Sequence, residues 1–138
     1  MILFDTNVIL DALFRDSQYF DRSINLITSA AGGEGAAVNA ITVAELCAGD
    51  RRPEIVEADL RGWNVHILDV PAVAAAICGK AYRRYAAARR ASGGGPAPKI
   101  PLPDFFIGAH AEVMGWKLAT RDADRIHKYF PKVQLLTP

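Results

Sequence analysis

The chain opens on four apolar residues, Met1 to Phe4, which run into Asp5-Thr6-Asn7 before an apolar run resumes at Val8-Ile9-Leu10. A short apolar run ended by polar residues predicts a buried strand. Asp, Thr and Asn favour helix starts, because their side chains accept hydrogen bonds from free N–H groups. Asp5 is therefore expected where a buried strand ends and a helix begins. The spacing of Val8, Ile9, Ala12 and Leu13 predicts a short helix from Thr6 to Phe14. A second helix follows from Gln18 to Ala31, with Phe20, Ile24 and Ile27 on one face and Gly32-Gly33-Glu34-Gly35 as its stop. Ala36–Asn39 reads as a strand and Ile41–Ala48 as a helix. Pro53-Glu54 opens another helix, stopped at Gly62, and Asn64–Val70 is the next strand.

Pro71 is expected to open a long Ala-rich helix reaching Ala91. Ser92 to Pro98, rich in Gly and Pro, predicts a mobile loop. Pro103-Asp104 begins a helix to Gly115, Trp116–Thr120 is a strand, Arg121-Asp122 opens a short helix to Tyr129, and Val133–Leu136 is the closing strand. Strands that alternate with helices predict an α/β fold, a central parallel sheet of five strands with helices on both faces. Right-handed crossovers place every strand's carboxyl end on one edge, and ligands bind outside that edge.

Composition sharpens this picture. At 138 residues and 51% apolar, the chain is expected to form one domain, residues 1–138, with a substantial core. The net charge of +1 announces no global field for nucleic acid, so any basic surface must be local. Cys47 and Cys78 form no CxxC pair and lie in apolar helical patterns. Buried free thiols and a cytoplasmic setting are the expectation. No signal peptide and no membrane span is expected. On the long helix, Lys80, Arg83, Arg84 and Arg90 share one arc, with Arg89 opposite. That arc reads as a solvated face or as a stripe that contacts phosphates.

The chemistry lies in four carboxylates. Asp5 follows the first strand, Asp104 opens the helix after the Gly/Pro loop, and Asp122 follows the Trp116–Thr120 strand. Glu45 lies one turn into Ile41–Cys47 among apolar neighbours, where a solvated Glu is unexpected. Singly, each has an ordinary reading as a helix cap, a helix-dipole partner or a surface group. Together on one edge they would repel unless a cation joined them or protons were taken up. Hard oxygen ligands select Mg²⁺ or Mn²⁺ over zinc. His66, His110 and His127 fall on separate elements and read as structural or surface groups. Such a metal site is the equipment of phosphoryl transfer. Thr6 and Thr120 could orient a carboxylate or a water through their hydroxyls, and Asn7 could hydrogen-bond a ligand carboxylate.

Read in order, five segments carry a resemblance: Phe4-Asp5-Thr6-Asn7, Ile41-Thr42-Val43-Ala44-Glu45-Leu46, Pro103 to Ala111, Leu118-Ala119-Thr120-Arg121-Asp122, and Tyr129-Phe130-Pro131-Lys132-Val133. Over essentially its whole length the chain resembles a PIN-domain ribonuclease, and within that group the VapC-type toxins of toxin–antitoxin pairs. The resemblance implies a five-stranded parallel sheet and an endoribonuclease dependent on Mg²⁺ or Mn²⁺. Asp5, Glu45, Asp104 and Asp122 match the family's acidic, metal-holding positions, and Thr120 its hydroxyl position. It also implies frequent homodimers and a small VapB-type antitoxin that inserts a basic side chain into the acidic pocket. The implied substrates are structured RNAs such as tRNA or rRNA, and occasionally mRNA. Cleavage by a metal-activated water would leave a 5′-phosphate and a 3′-hydroxyl. Lys80, Arg83, Arg84 and Arg90, with Arg51, Arg52 and Arg121, are candidates to guide the RNA. The Ser92–Pro98 loop departs from the family pattern.

Three other readings compete. A phosphate-signalling receiver domain would carry an adjacent acidic pair after the first strand and a lysine after the last, and this chain has neither. A catalytically silent PIN-like binding module would act through contacts alone. A PIN nuclease of RNA maturation would need no antitoxin.

Overall fold

The computed structural model describes residues 1–49 and 52–138. In chain order the elements are β1 (Ile2–Phe4), α1 (Thr6–Leu13), α2 (Phe20–Ala31), β2 (Ala36–Asn39), α3 (Ala40–Ala48), α4 (Pro53–Gly62), β3 (Val65–Leu68), α5 (Ala74–Ala91), α6 (Pro103–Met114), β4 (Lys117–Ala119), α7 (Ala123–Tyr129) and β5 (Leu135–Leu136). The five strands form one sheet in the order β3-β2-β1-β4-β5, and every pairing is parallel. The expected α/β architecture is therefore present.

The apolar run of β1 is continuous because the strand is buried on both faces. Successive side chains point to opposite faces, so Leu3 joins one core while Ile2 and Phe4 join the other. Ala37 and Leu118 share the Leu3 side with α5, α6 and α7. Ala36, Val38 and Ala119 share the other side with α1, α2, α3 and α4. The first four helices thus cover one face and the last three the other. That split follows from chain direction: strands are added outward from β1 to β3, then the chain returns to build β4 and β5 on the far side of β1. With right-handed crossovers, a reversal of direction must change faces. The reversal makes the β1/β4 boundary the switch point of the sheet, where the connections leaving the two strands run to opposite faces and leave room for a ligand between them.

Several boundaries are tighter than the sequence pattern suggests. The third strand spans Val65–Leu68 rather than Asn64–Val70, and the fourth Lys117–Ala119 rather than Trp116–Thr120. The last strand keeps only Leu135 and Leu136. At these ends the ladder continues only as single bonds, from the Leu118 N–H to Gln134 and from the Thr120 N–H to Leu136. Pro71 to Val73 form turns that lead into α5 at Ala74. The Ser92–Pro98 segment is irregular as expected, yet it is tied down: Arg89 donates through Nε to the Gly95 carbonyl at 2.9 Å, and the Tyr82 hydroxyl donates to the Pro98 carbonyl. Cys78 is buried and Cys47 only partly so, and both are free thiols. Burial pushes the Cys78 thiol up, which keeps it protonated and inert.

Two glycines have specific work. Gly115 takes φ +64°, the left-handed conformation that closes α6. Gly108 lies within α6 against the buried ring of Phe130, whose Cδ2 and Cε2 would stand 2.6 Å from a Cβ at residue 108. Alanine normally favours a helix over glycine by about 1 kcal/mol, but this contact reverses the sign. Gly108→Ala is expected to destabilise the chain by about 1–3 kcal/mol, the usual cost of overpacking. A lowered urea midpoint at unchanged slope would record it, and Phe130→Leu in the same chain should restore part of the loss.

Burial also sets a pH dependence. His110 is buried on α6, its Nδ1 lies 3.4 Å from Asn39 Nδ2, and its ring stacks near Trp116. The Asn39 carbonyl oxygen is engaged by the Ile41 and Thr42 N–H groups, so the amide NH₂ faces the imidazole and Nδ1 must accept. Burial lowers the His110 pKa. The unfolded chain then binds the proton more readily, so this contribution is present above the unfolded pKa of about 6.5 and fades as pH falls through it. Unfolding free energy should drop between about pH 7.5 and pH 5.5, and the drop should be shallower in His110→Gln, measured by urea titration at each pH.

Candidate active site

The switch point is where the predicted residues assemble. Asp5 ends β1, its backbone N–H donating to Ala119 of β4 at 2.9 Å, and its side chain is buried. The reading of Asp5 as a helix cap can be compared with Asn39, which holds the equivalent place at the end of β2. Asn39 caps α3, accepting from Ile41 and Thr42 at 3.1 Å each. Asp5 makes no such cap on α1. Its Oδ2 instead accepts from Thr120 Oγ1 and from Asn7 Nδ2, both at 2.6 Å. Thr120 in turn accepts the Asp122 backbone N–H at 3.0 Å, and Asn7 Oδ1 accepts the Arg121 N–H at 3.1 Å. These bonds lace the β1 end to the turn after β4. The chain tolerates a buried carboxyl here because donors are built around it.

Two further carboxylates act on Asp5. Its pKa is raised, first by burial and then by the charges of Asp104 and Glu45, against a lowering by the Thr120 hydrogen bond and the Thr6 N–H. Asp104 lies in the first turn of α6, and Glu45 on α3 accepts the Thr6 hydroxyl. Glu45 is thus partly buried because it faces this crevice and not solvent. Asp122 stands at the start of α7 without capping it, and joins Asp104 through Arg125, whose guanidinium contacts both. The pocket draws on helices from both faces of the sheet.

The remaining candidates scatter. Arg121 is engaged within the fold: its Nε pairs with the buried Asp11 at 3.1 Å and its guanidinium lies 5.1 Å from the Tyr19 ring centroid. Lys80 and Arg84 line a shallow cavity of about 290 Å³ with Lys132 and Glu112. Arg84 also donates to the Tyr129 carbonyl. Arg83 and Arg90 are exposed, and Arg52 is an exposed partner of Glu54 at 3.6 Å. Arg51 lies outside the described residues. His66 and His127 are exposed and His110 is a core group. The sequence reading missed Arg125 and Asp11. The i, i+3 spacing of Asp122 and Arg125 was a usable signal for the first.

All ligand atoms offered here are oxygens. Among the described residues no three acidic, His or Cys groups stand as a ready-made metal cage. The donor set nonetheless fits a hard divalent cation: Asp5 is held by two side-chain donors and carries an excess negative field from Asp104 and Glu45. A carboxyl with a raised pKa contributes stability below its unfolded pKa and loses it as pH rises through the folded value. Asp5→Asn removes that charge and should therefore stabilise the metal-free chain at neutral pH, its amide oxygen still accepting from Thr120 and Asn7. A higher melting temperature in EDTA would show this, and an unchanged or lower one would refute it.

Comparisons with known proteins bear on the fold and the family. The PIN domain profile matches residues 2–131. No curated protein matches the chain. Among solved structures, VapBC2 from Rickettsia felis bound to a DNA fragment from its promoter is 21% identical, with a TM-score of 0.65 over 100% of this chain and 99% of that one. FitAcB from Neisseria gonorrhoeae is 26% identical, with a TM-score of 0.65 over 99% and 96%. DNA-bound VapBC from Salmonella typhimurium is 23% identical, with a TM-score of 0.63 over 99% and 96%. With a family match over nearly its full length and an acidic crevice at the β1/β4 switch point, the chain belongs to the PIN-domain family.

Proposed function

We propose that this chain is a cytoplasmic endoribonuclease dependent on Mg²⁺ or Mn²⁺, the toxin member of a toxin–antitoxin pair. The observation that carries the reading is Asp5: a buried carboxyl at the switch point, held by Thr120 and Asn7, left out of helix capping, and sharing a field with Asp104 and Glu45. Such a charge arrangement destabilises the fold and is explained by a cation that uses it. The likeness to VapBC and FitAcB complexes supports the toxin role and a small antitoxin partner that presents a basic side chain to the acidic pocket. A homodimer and a structured RNA substrate belong to the same proposal.

In this reading Asp5 and Asp104 would hold the metal, with Asp122 and Glu45 contributing directly or through water. The bound ion would neutralise phosphate charge and acidify a water. Thr120 fixes the Asp5 carboxylate by donating its hydroxyl proton to Oδ2, and Thr6 fixes Glu45 in the same way. Asn7, on α1, donates to the same Asp5 oxygen and accepts from the Arg121 backbone, so it ties the carboxylate to both α1 and the β4 turn. Water would attack the phosphorus in line and give up a proton to solvent, the bond to the 3′-oxygen would break and that oxygen take up a proton from solvent, which gives a 5′-phosphate and a 3′-hydroxyl. Lys80, Arg83, Arg84 and Arg90 would guide the RNA backbone along α5.

The test is cleavage of total cellular RNA by the purified chain with Mg²⁺, with Mn²⁺ and with EDTA. Cutting should require metal and vanish in Asp5→Asn and Asp104→Asn variants of confirmed fold. Thr120→Val should lose about 10–100-fold, as expected for a group that orients a metal ligand. A 2′,3′-cyclic phosphate end would sink the mechanism, since it requires attack by the RNA's own 2′-hydroxyl. No cutting with any metal from a folded preparation would favour a silent binding module.

A further inference from the structure

Arg125 stands three residues beyond Asp122 on α7, and its Nη2 contacts the carboxylates of both Asp104 and Asp122. An arginine that binds a carboxylate well offers it two parallel N–H groups. Here a single nitrogen serves two carboxylates from different helices, while Nε is buried with no hydrogen-bond partner. The guanidinium thus acts on both carboxylates through one end, as a point charge would. Asp104 and Glu45 bear on Asp5, whereas Asp122 is joined to Asp104 through Arg125.

We propose that Arg125 is a built-in competitor for the divalent cation. It holds Asp104 toward Asp122, and loading of the metal requires Nη2 to leave. The inference rests on the metal-dependent reading of the site. Arginine cannot lose its proton in a protein, so the competing charge is removed only by moving the side chain. With 38% of the Arg125 side chain exposed, solvent can receive the displaced guanidinium and the contact is individually weak. Arg125 therefore tilts loading without forbidding it. The apparent metal affinity falls by the fraction of time the acidic pair is free.

The experiment is a titration of the full chain with Mn²⁺, following the paramagnetic resonance signal of the free ion, with melting curves to confirm folding. Arg125→Gln should bind Mn²⁺ about tenfold more tightly than the unaltered chain, and Arg125→Lys, which keeps a cation, should bind as the unaltered chain does. Arg121→Gln removes a nearby positive charge that pairs with Asp11 and touches neither Asp104 nor Asp122, so it measures the general field. If Arg125→Gln does not fold, Arg125→Met keeps the aliphatic stem and is read the same way. Equal binding by Arg125→Gln and the unaltered chain, or an equal gain in Arg121→Gln, overturns the proposal. Weaker binding overturns it too, and makes Arg125 a positioning residue for the two aspartates. If neither the unaltered chain nor any variant binds Mn²⁺, the metal-dependent reading falls and the inference falls with it.

Discussion

Carboxylates crowded at one edge of a sheet repel, and the chain must hold them there against that repulsion. The hydrogen bond from Thr120 to Asp5 is the principal restraint, because it joins the segments that leave the paired strands β1 and β4. Asn7 reinforces it from the α1 side, and the Arg121 backbone closes the ring. The cost appears in the raised pKa of Asp5, which burial and two neighbouring charges drive upward while its donors pull it back. A fold optimised for stability alone would place an amide or an apolar group at this position.

Topology makes the crowding possible. The strand order brings β1 and β4 together although 112 residues separate the end of the first from the start of the second (Phe4 to Lys117 in the chain). Helices α1 and α3 deliver Thr6, Asn7 and Glu45 from one face, while α6 and α7 deliver Asp104, Asp122 and Arg125 from the other. The pocket is a seam between two cores. Neither core alone holds a complete set of oxygens.

The fold was readable because its signals are local. The apolar runs at Ile2–Phe4 and Ala36–Asn39, the glycine stops after Ala31 and Met114, and the prolines at 53 and 103 each act within one turn of the chain. The acidic residues were readable for the same reason: three of the four mark helix starts. What escaped depends on contacts between distant elements. Nothing local shows that Arg121 would be taken up by Asp11 and Tyr19, or that Arg125 would reach a carboxylate on α6. The arc of basic residues on α5 was visible, but helical periodicity does not reveal that Arg84 reaches the end of α7 while Arg83 faces solvent.

The contact between Gly108 and Phe130 has an evolutionary corollary. Residue 108 lies one turn beyond Asp104 on α6, and the Phe130 ring fills the volume a larger side chain there would need. In diverging descendants the two positions are bound to drift as a pair, a gain of bulk at one accompanied by a loss at the other. Bulk added at residue 108 alone must be relieved by a shift of the Phe130 ring or of α6, the helix that carries Asp104, so the shape of the acidic edge is tied to a packing contact one turn away.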